Sequence, residues 1–310
     1  MTTVQAGPVS ARIPAWDGYC ADPFALATPE GFVLYGTDPT VARDDPRVFC
    51  LLHSEDLRTW RHVGGALTRL ADEPEGAEYW APEVAHADGT YYLYYSVGAG
   101  EVGHALRVAA SRSALGPFED VGVVLTPGLP FAIDASPVQD ADGSWWLYFA
   151  TDHLAGPRPG TVIARARLHH MTELGPVEIV LTADADWQVY QRDRLIYGER
   201  RDWHTLEGPS LQYRQGRWWM LYSGGNWQGE GYGVGLAAAA SLDGDWAPVG
   251  EGPSVLSSAS GLLGPGHCSV LLAEGRDFLV FHAWDDARRL RRPHLAPLTW
   301  TEQGPVVELG

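Results

Sequence analysis

The sequence contains no lysine: its 22 basic residues are all arginines, set against 39 aspartates and glutamates, for a formal charge of -17. Such a balance repels phosphate backbones and anionic lipid, which argues against nucleic-acid and membrane partners. Cysteine is scarce, with Cys20, Cys50 and Cys268 alone. They are odd in number, far apart and outside metal-ligand spacing, so neither a disulfide framework nor a cysteine metal site is expected. No apolar run approaches the roughly 18 residues that a membrane span needs. The opening Met-Thr-Thr-Val-Gln-Ala-Gly-Pro has neither a basic start nor a leader-length apolar run, so a cytoplasmic location is expected. Long helical periodicity is missing as well.

What is abundant is turn-forming and aromatic: 36 Gly, 22 Pro, 13 Trp and 13 Tyr among 310 residues, a composition that favours short strands over helices. These residues recur in a pattern. Segments 89–96, 143–150, 216–223 and 275–282 each open on glycine, run through aromatic and aliphatic residues, and follow Val84, Val138, Leu211 or Val270 by five positions. A looser copy, 31–36, follows Asp22-Pro23-Phe24. Asp88-Gly89, Asp142-Gly143 and Gln215-Gly216 read as tight hairpin turns, and the segments after them as strands buried on both faces. Third and fourth strands follow in most copies, clearest at 107–113 and 121–125. The Ala-rich 237–240 matches 107–113 and reads as strand. Five units of about 62 residues each, filling 1–310 as a single domain, predict a five-bladed β-propeller with four-stranded antiparallel blades around a central axis. The competing all-β architecture is a large sandwich.

Three of these units open with an acid beside a turn: Asp22 before Pro23, Asp134 ahead of Pro137, and Glu207 in Glu207-Gly-Pro209. The expected placement is at equivalent points of the inner strands, converging on the axis. Acids there are costly to bury unpaired and require a reason. Glycoside hydrolysis supplies one. A protonated carboxyl serves the leaving oxygen, a carboxylate activates water on the opposite face of the sugar, and crowding raises the pKa of the acid. The other reading is that Asp-Pro and Glu-Gly-Pro only make turns.

In these motifs, together with Trp80-Ala-Pro-Glu-Val84, Gly266-His267-Cys-Ser269 and Arg291 ahead of Pro297-Leu-Thr-Trp300, the sequence resembles glycoside hydrolase family 43 over nearly its whole length. The resemblance implies the five-bladed propeller and an inverting mechanism. It makes Asp22 the general base, Glu207 the general acid and Asp134 the residue that raises and orients the acid. It also implies substrate contacts for Trp80, Glu83 and Arg291, the last meeting the sugar or Asp134. His267 would lie near an axial, water-coordinated calcium, with no cofactor required for the chemistry. The substrate would be a small oligosaccharide that loses a terminal pentose. The first expectation is α-L-arabinofuranose, the alternatives being a β-xylosidase or a binding platform without catalysis. A retaining fructosidase is disfavoured because Ala21, not Asn, precedes Asp22. The insert 187–203, rich in arginine, is expected as a solvated charged loop, with a rim over the pocket as the other reading. Asn226 and Trp227 are further candidates for the pocket.

Overall fold

The computed structural model describes residues 14–42, 44–100 and 103–310; the opening segment read above for a leader lies outside them. The chain is all-β. Among the described residues, helix is confined to the 3-10 turns Asp186–Gln188 and Ser258–Ser260, and no helix is long and apolar enough to cross a membrane.

Antiparallel meanders follow one another along the chain. The first consists of Ala21–Thr28, Gly31–Thr37, Cys50–Ser54 and Arg61–Gly64. The second is Glu78–Ala87, Thr90–Gly98, Ala105–Ser111 and Glu119–Val124. The third runs Ala132–Gln139, Trp145–His153 and Gly160–His169, with Glu178–Leu181 on its edge. The fourth is Glu199–Arg214, Arg217–Gly224, Gly233–Ala239 and Ala247–Val249; the last is Leu263–Ala273, Arg276–Trp284, Arg291–Thr301 and Gly304–Val307. The third and fourth merge into one sheet where Gly160 and Thr161 pair in parallel with His204 and Thr205. A Cβ on Gly160 would overlap the His204 backbone, so this approach requires glycine. Two of the three expected hairpins turn as the dipeptides imply, Asp88-Gly89 and Gln215-Gly216 being left-handed at both residues, as is Glu274-Gly275; at Asp142-Gly143 only Gly143 is left-handed, and the turn is a longer one closed by Asp140 N–H to Ser144 O at 2.8 Å. The Ala-rich segment lies mostly in the strand Gly233–Ala239.

The core lies between meanders rather than inside one sheet. Separate apolar clusters fill the spaces between the first and second, second and third, third and fourth, and fourth and fifth meanders. Another lies between the fifth and the first. Alternation along each second strand serves both neighbours: Leu93 and Tyr95 face one cluster, Tyr94 the other. This is why the sequence reads there as an unbroken aromatic run. Each fully buried large side chain contributes about 1.5–3 kcal/mol of transfer free energy.

The first strands of the meanders pack in sequence. Ala21–Thr28 lies against Glu78–Ala87, which lies against Ala132–Gln139, then Glu199–Arg214, then Leu263–Ala273, which lies against Ala21–Thr28. At that last contact the two ends of the chain are joined by Ala15 N–H to Pro293 O (2.8 Å), Cys20 N–H to Arg291 O (3.0 Å) and Ser269 Oγ to Pro23 O (2.9 Å). The three cysteines are buried and unbridged.

Candidate active site

Every first strand breaks register with its neighbour at the same place. Pairing skips two residues after Ala21, Trp80, Ile133, Glu207 and Gly266. The next residue in each case, Asp22, Ala81, Asp134, Gly208 or His267, is left-handed, with φ between 44° and 61°. A bulge of this kind bends the strand and re-aims its side chains. Three of the five left-handed positions carry titratable side chains. The bulges correct one expectation: Asp22 and Asp134 are equivalent, but Glu207 stands one residue earlier, at the position of Trp80 and Ile133. Gly208 takes the strained conformation at no Cβ cost, and its lack of a side chain leaves room for the His267 ring, about 3.2 Å from where a Cβ would stand.

The N–H of each left-handed residue needs a partner, and in most cases the preceding meander supplies it. Ala81 N–H donates to Thr37 Oγ1 (2.8 Å), Asp134 to Ser96 Oγ (3.2 Å), His267 to Ser223 Oγ (2.7 Å), and Asp22 to His282 Nδ1 (3.1 Å). The third meander has Ala150 at this point, opposite Ile133. Gly208 N–H therefore donates to the Asp134 carboxylate, Oδ2, at 2.9 Å.

Asp22, Asp134 and Glu207 line one cavity of about 200 Å³, with Tyr19, Thr37, Pro39, Glu78, Trp80, Ile133, Trp227, His267 and Arg291. Asp22 Oδ1 lies 3.1 Å from an Arg291 guanidinium nitrogen and 3.4 Å from Nδ1 of both His267 and His282. His267 also reaches toward Asp134, with Nδ1 3.9 Å from Oδ2. Glu207 Oε1 accepts the Tyr232 hydroxyl at 2.6 Å.

These surroundings divide the acids. Burial opposes the charge on Asp22, but the Arg291 guanidinium and the two imidazoles outweigh it and hold the carboxyl well below the usual range. Glu207 is pushed up to about 7, chiefly by burial and further by the Asp22 charge, against the Tyr232 hydrogen bond and Arg291. Asp134 is raised by burial, by Glu207 and by Asp22, against the Gly208 N–H. Asp134 and Glu207 are thus both shifted toward the protonated form, opposite to Asp22.

The remaining sequence candidates divide. Trp80 lines the cavity and stacks on His104, with ring centroids 3.6 Å apart. Arg291 is held by Asp22, by the Tyr19 hydroxyl at 2.9 Å and by the Trp227 face at 4.5 Å, so its carboxylate partner is Asp22 rather than Asp134. Glu83 is not among the residues lining the cavity. It follows the bulge on its strand and is buried near Ser136, where burial pushes it up to about 8. His267 has its Nδ1 beside Asp22, and among the described residues no group of three or more His, Cys, Asp or Glu could hold a metal ion. A calcium coordinated largely by water would not require such a group. Segment 187–203 is a short 3-10 turn leading into a strand pair, Val189–Ile196 against Glu199–Arg214, rather than a solvated loop.

The sequence reading missed Tyr19, Tyr232 and His282. For His282 there was a signal, since it ends its repeat where Ser96 and Ser223 end theirs. For Tyr232 the signal was Gly266: a Cβ there would overlap the Tyr232 ring, so the missing side chain makes its seat.

Acids of opposed titration lining one small cavity on an all-β frame are the equipment of a glycoside hydrolase. The family model "Glycosyl hydrolases family 43" matches residues 11–306, and the chain belongs to that family. It is 29% identical to "Beta-D-galactofuranosidase xynD" of Aspergillus niger over 95% of this chain and 83% of the relative. To "Extracellular exo-alpha-(1->5)-L-arabinofuranosidase" of Streptomyces avermitilis it is 24% identical, over 84% of this chain and 54% of that one. Among solved structures, a thermostable family-43 glycoside hydrolase superposes with a TM-score of 0.82 at 24% identity, covering 97% of this chain and 96% of the other.

Proposed function

We propose that the chain is an inverting exo-glycosidase that removes a terminal α-L-arabinofuranose from short oligosaccharides, with Glu207 as general acid, Asp22 as general base and Asp134 as the group that keeps Glu207 protonated and oriented. The observation that carries this reading is the opposed titration of Asp22 and Glu207 on the walls of one cavity. Asp22 is charged and faces the cavity, where it takes a proton from water as the water oxygen bonds to the anomeric carbon. The bond from that carbon to the leaving oxygen breaks, and Glu207 supplies the proton this oxygen needs. A carboxylate held as low as Asp22 is a weak base. That suits an oxocarbenium-like transition state, in which departure of the leaving group runs ahead of water attack. Arg291 fixes Asp22, while Trp80 and Trp227 offer apolar faces to the sugar ring.

The same proposal includes a five-bladed propeller formed by residues 1–310, supported by the meanders, the cores between successive pairs of them, and the return of Leu263–Ala273 onto Ala21–Thr28. A second substrate has a specific argument. The relative matched over 95% of this chain is named a β-D-galactofuranosidase, and β-D-galactofuranose is α-L-arabinofuranose extended by one exocyclic carbon. Nitrophenyl α-L-arabinofuranoside, β-D-galactofuranoside and β-D-xylopyranoside, assayed side by side, decide the sugar. NMR of the first-formed anomer tests the mechanism: inversion is expected, and retention would overturn the assignment of Asp22 as base.

A further inference from the structure

Each meander holds the bulge of the next through one position on its second strand. Thr37, Ser96, Ala150, Ser223 and His282 are equivalent, since each pairs with the residue where its own first strand leaves register: Ala21, Trp80, Ile133, Glu207 or Gly266. Four of the five present an acceptor to the N–H of the left-handed residue in the following meander. Ala150 has none to offer, and its register partners Ile133 and Ile163 are apolar as well. Its strand, Trp145–His153, nevertheless lies against Glu199–Arg214, the strand of Gly208. The Gly208 N–H goes instead to Asp134 Oδ2 at 2.9 Å. Asp134 is thereby held twice, its own N–H by Ser96 Oγ at 3.2 Å and its carboxyl by the peptide that directly follows Glu207.

Resting on the glycosidase reading above, we infer that Ala150 is a positioning residue: the hydroxyl it lacks is what commits the Gly208 N–H to Asp134 and ties the Asp134 carboxyl to the strand of Glu207. Two acceptors would otherwise compete for one donor. A buried N–H requires a partner, and in the other four meander contacts a neighbouring side chain supplies it. A hydroxyl at position 150 would accept in the geometry the repeat already uses, and Asp134 Oδ2 would lose its donor. An N–H donor favours the ionised carboxylate, so without it Asp134 holds a proton more readily. The charge on Asp134 opposes ionisation of Glu207, and the fixed carboxyl keeps Glu207 oriented; both depend on the tie. The one departure from a polar side chain in this ring of contacts thus falls between two of the three acids.

The test returns the repeat's hydroxyl, with Ala150→Ser and, as in the first meander, Ala150→Thr; Ser96 and Ser223 show that the position accommodates it fully buried. Ala150→Cys adds similar bulk with a weak acceptor and serves as the control. A crystal structure of Ala150→Ser should show the Gly208 N–H turned to the new hydroxyl and Asp134 Oδ2 released. On a methyl glycoside, whose leaving oxygen requires a proton, kcat should fall about tenfold with KM changed less than about twofold, the loss of one hydrogen bond to a charged group. On the dinitrophenyl glycoside of the same sugar, whose leaving group departs as a stable anion, kcat should fall less than about threefold. Ala150→Cys should match the unmodified enzyme on both. Equal losses on the two substrates, the same losses in Ala150→Cys, or no loss on either would overturn the inference, and so would a Gly208–Asp134 bond that persists beside the hydroxyl. The crystal structure also keeps the two readings apart. An unmodified enzyme that cleaves no glycoside would sink the glycosidase reading, while transfer or persistence of the bond would still decide whether Ala150 makes the tie.

Discussion

Tyr232 reaches Glu207 from a different meander element, its hydroxyl donating to Oε1 at 2.6 Å, and this contact favours the ionised carboxylate against burial. Tyr232→Phe removes the donor and leaves the ring in place. A hydrogen bond to a charged acceptor contributes about 1.5–3 kcal/mol and to a neutral one about 0.5–1.5 kcal/mol. The difference, about 1–1.5 kcal/mol, corresponds to about one pKa unit. If Glu207 is the general acid, activity is lost as pH rises through its pKa of about 7, so removing a group that lowers this value moves the basic limb upward by about one unit. The acidic limb belongs to Asp22 and stays low, because Arg291 and the imidazoles that hold it are untouched. The assay is kcat/KM against pH on whichever of the aryl glycosides is cleaved best, since that ratio reports the free enzyme. An unmoved basic limb, or one displaced downward, would refute the placement of the catalytic proton on Glu207.

Gly266→Ala should reproduce part of the same shift, because the new methyl displaces the Tyr232 ring, at a stability loss of about 1–3 kcal/mol in denaturant melts. Asp22→Asn should reduce turnover about 10²- to 10⁴-fold. The same change should cost about 3–5 kcal/mol of stability, since it leaves the buried Arg291 without its carboxylate at the contact between the first and last meanders; a fully stable variant would count against that pairing. Glu83, pushed up to about 8, is bound to its proton more firmly folded than unfolded, so its contribution is full below the ordinary carboxylate value and lost as pH rises through about 8. Thermal midpoints should therefore fall over that interval, and fall less in Glu83→Gln.

Much of this was legible in the chain because it repeats. Hairpin glycines at constant spacing reported the meanders, and unbroken aromatic runs reported strands covered on both faces. The acids were visible because charge is expensive in such positions. The offset of Glu207 from Asp22 and Asp134 was not visible, since proline and acid spacing alone does not say where a strand leaves register. Nor was the role of Ala150. A small apolar residue where the four other units carry Thr37, Ser96, Ser223 and His282 means little until the N–H it leaves unserved is seen to turn to Asp134.

The sequence by itself determined the strand-rich architecture, the repeat and the identity of the three acids, because hydrophobic periodicity, turn chemistry and the cost of burying charge are local properties. Tertiary structure alone decided which carboxyl is held down and which are pushed up. That outcome depends on Arg291, His267, His282 and Tyr232, all distant in sequence from the carboxyls they touch, and on distances of about 3 Å, over which electrostatic energies change steeply.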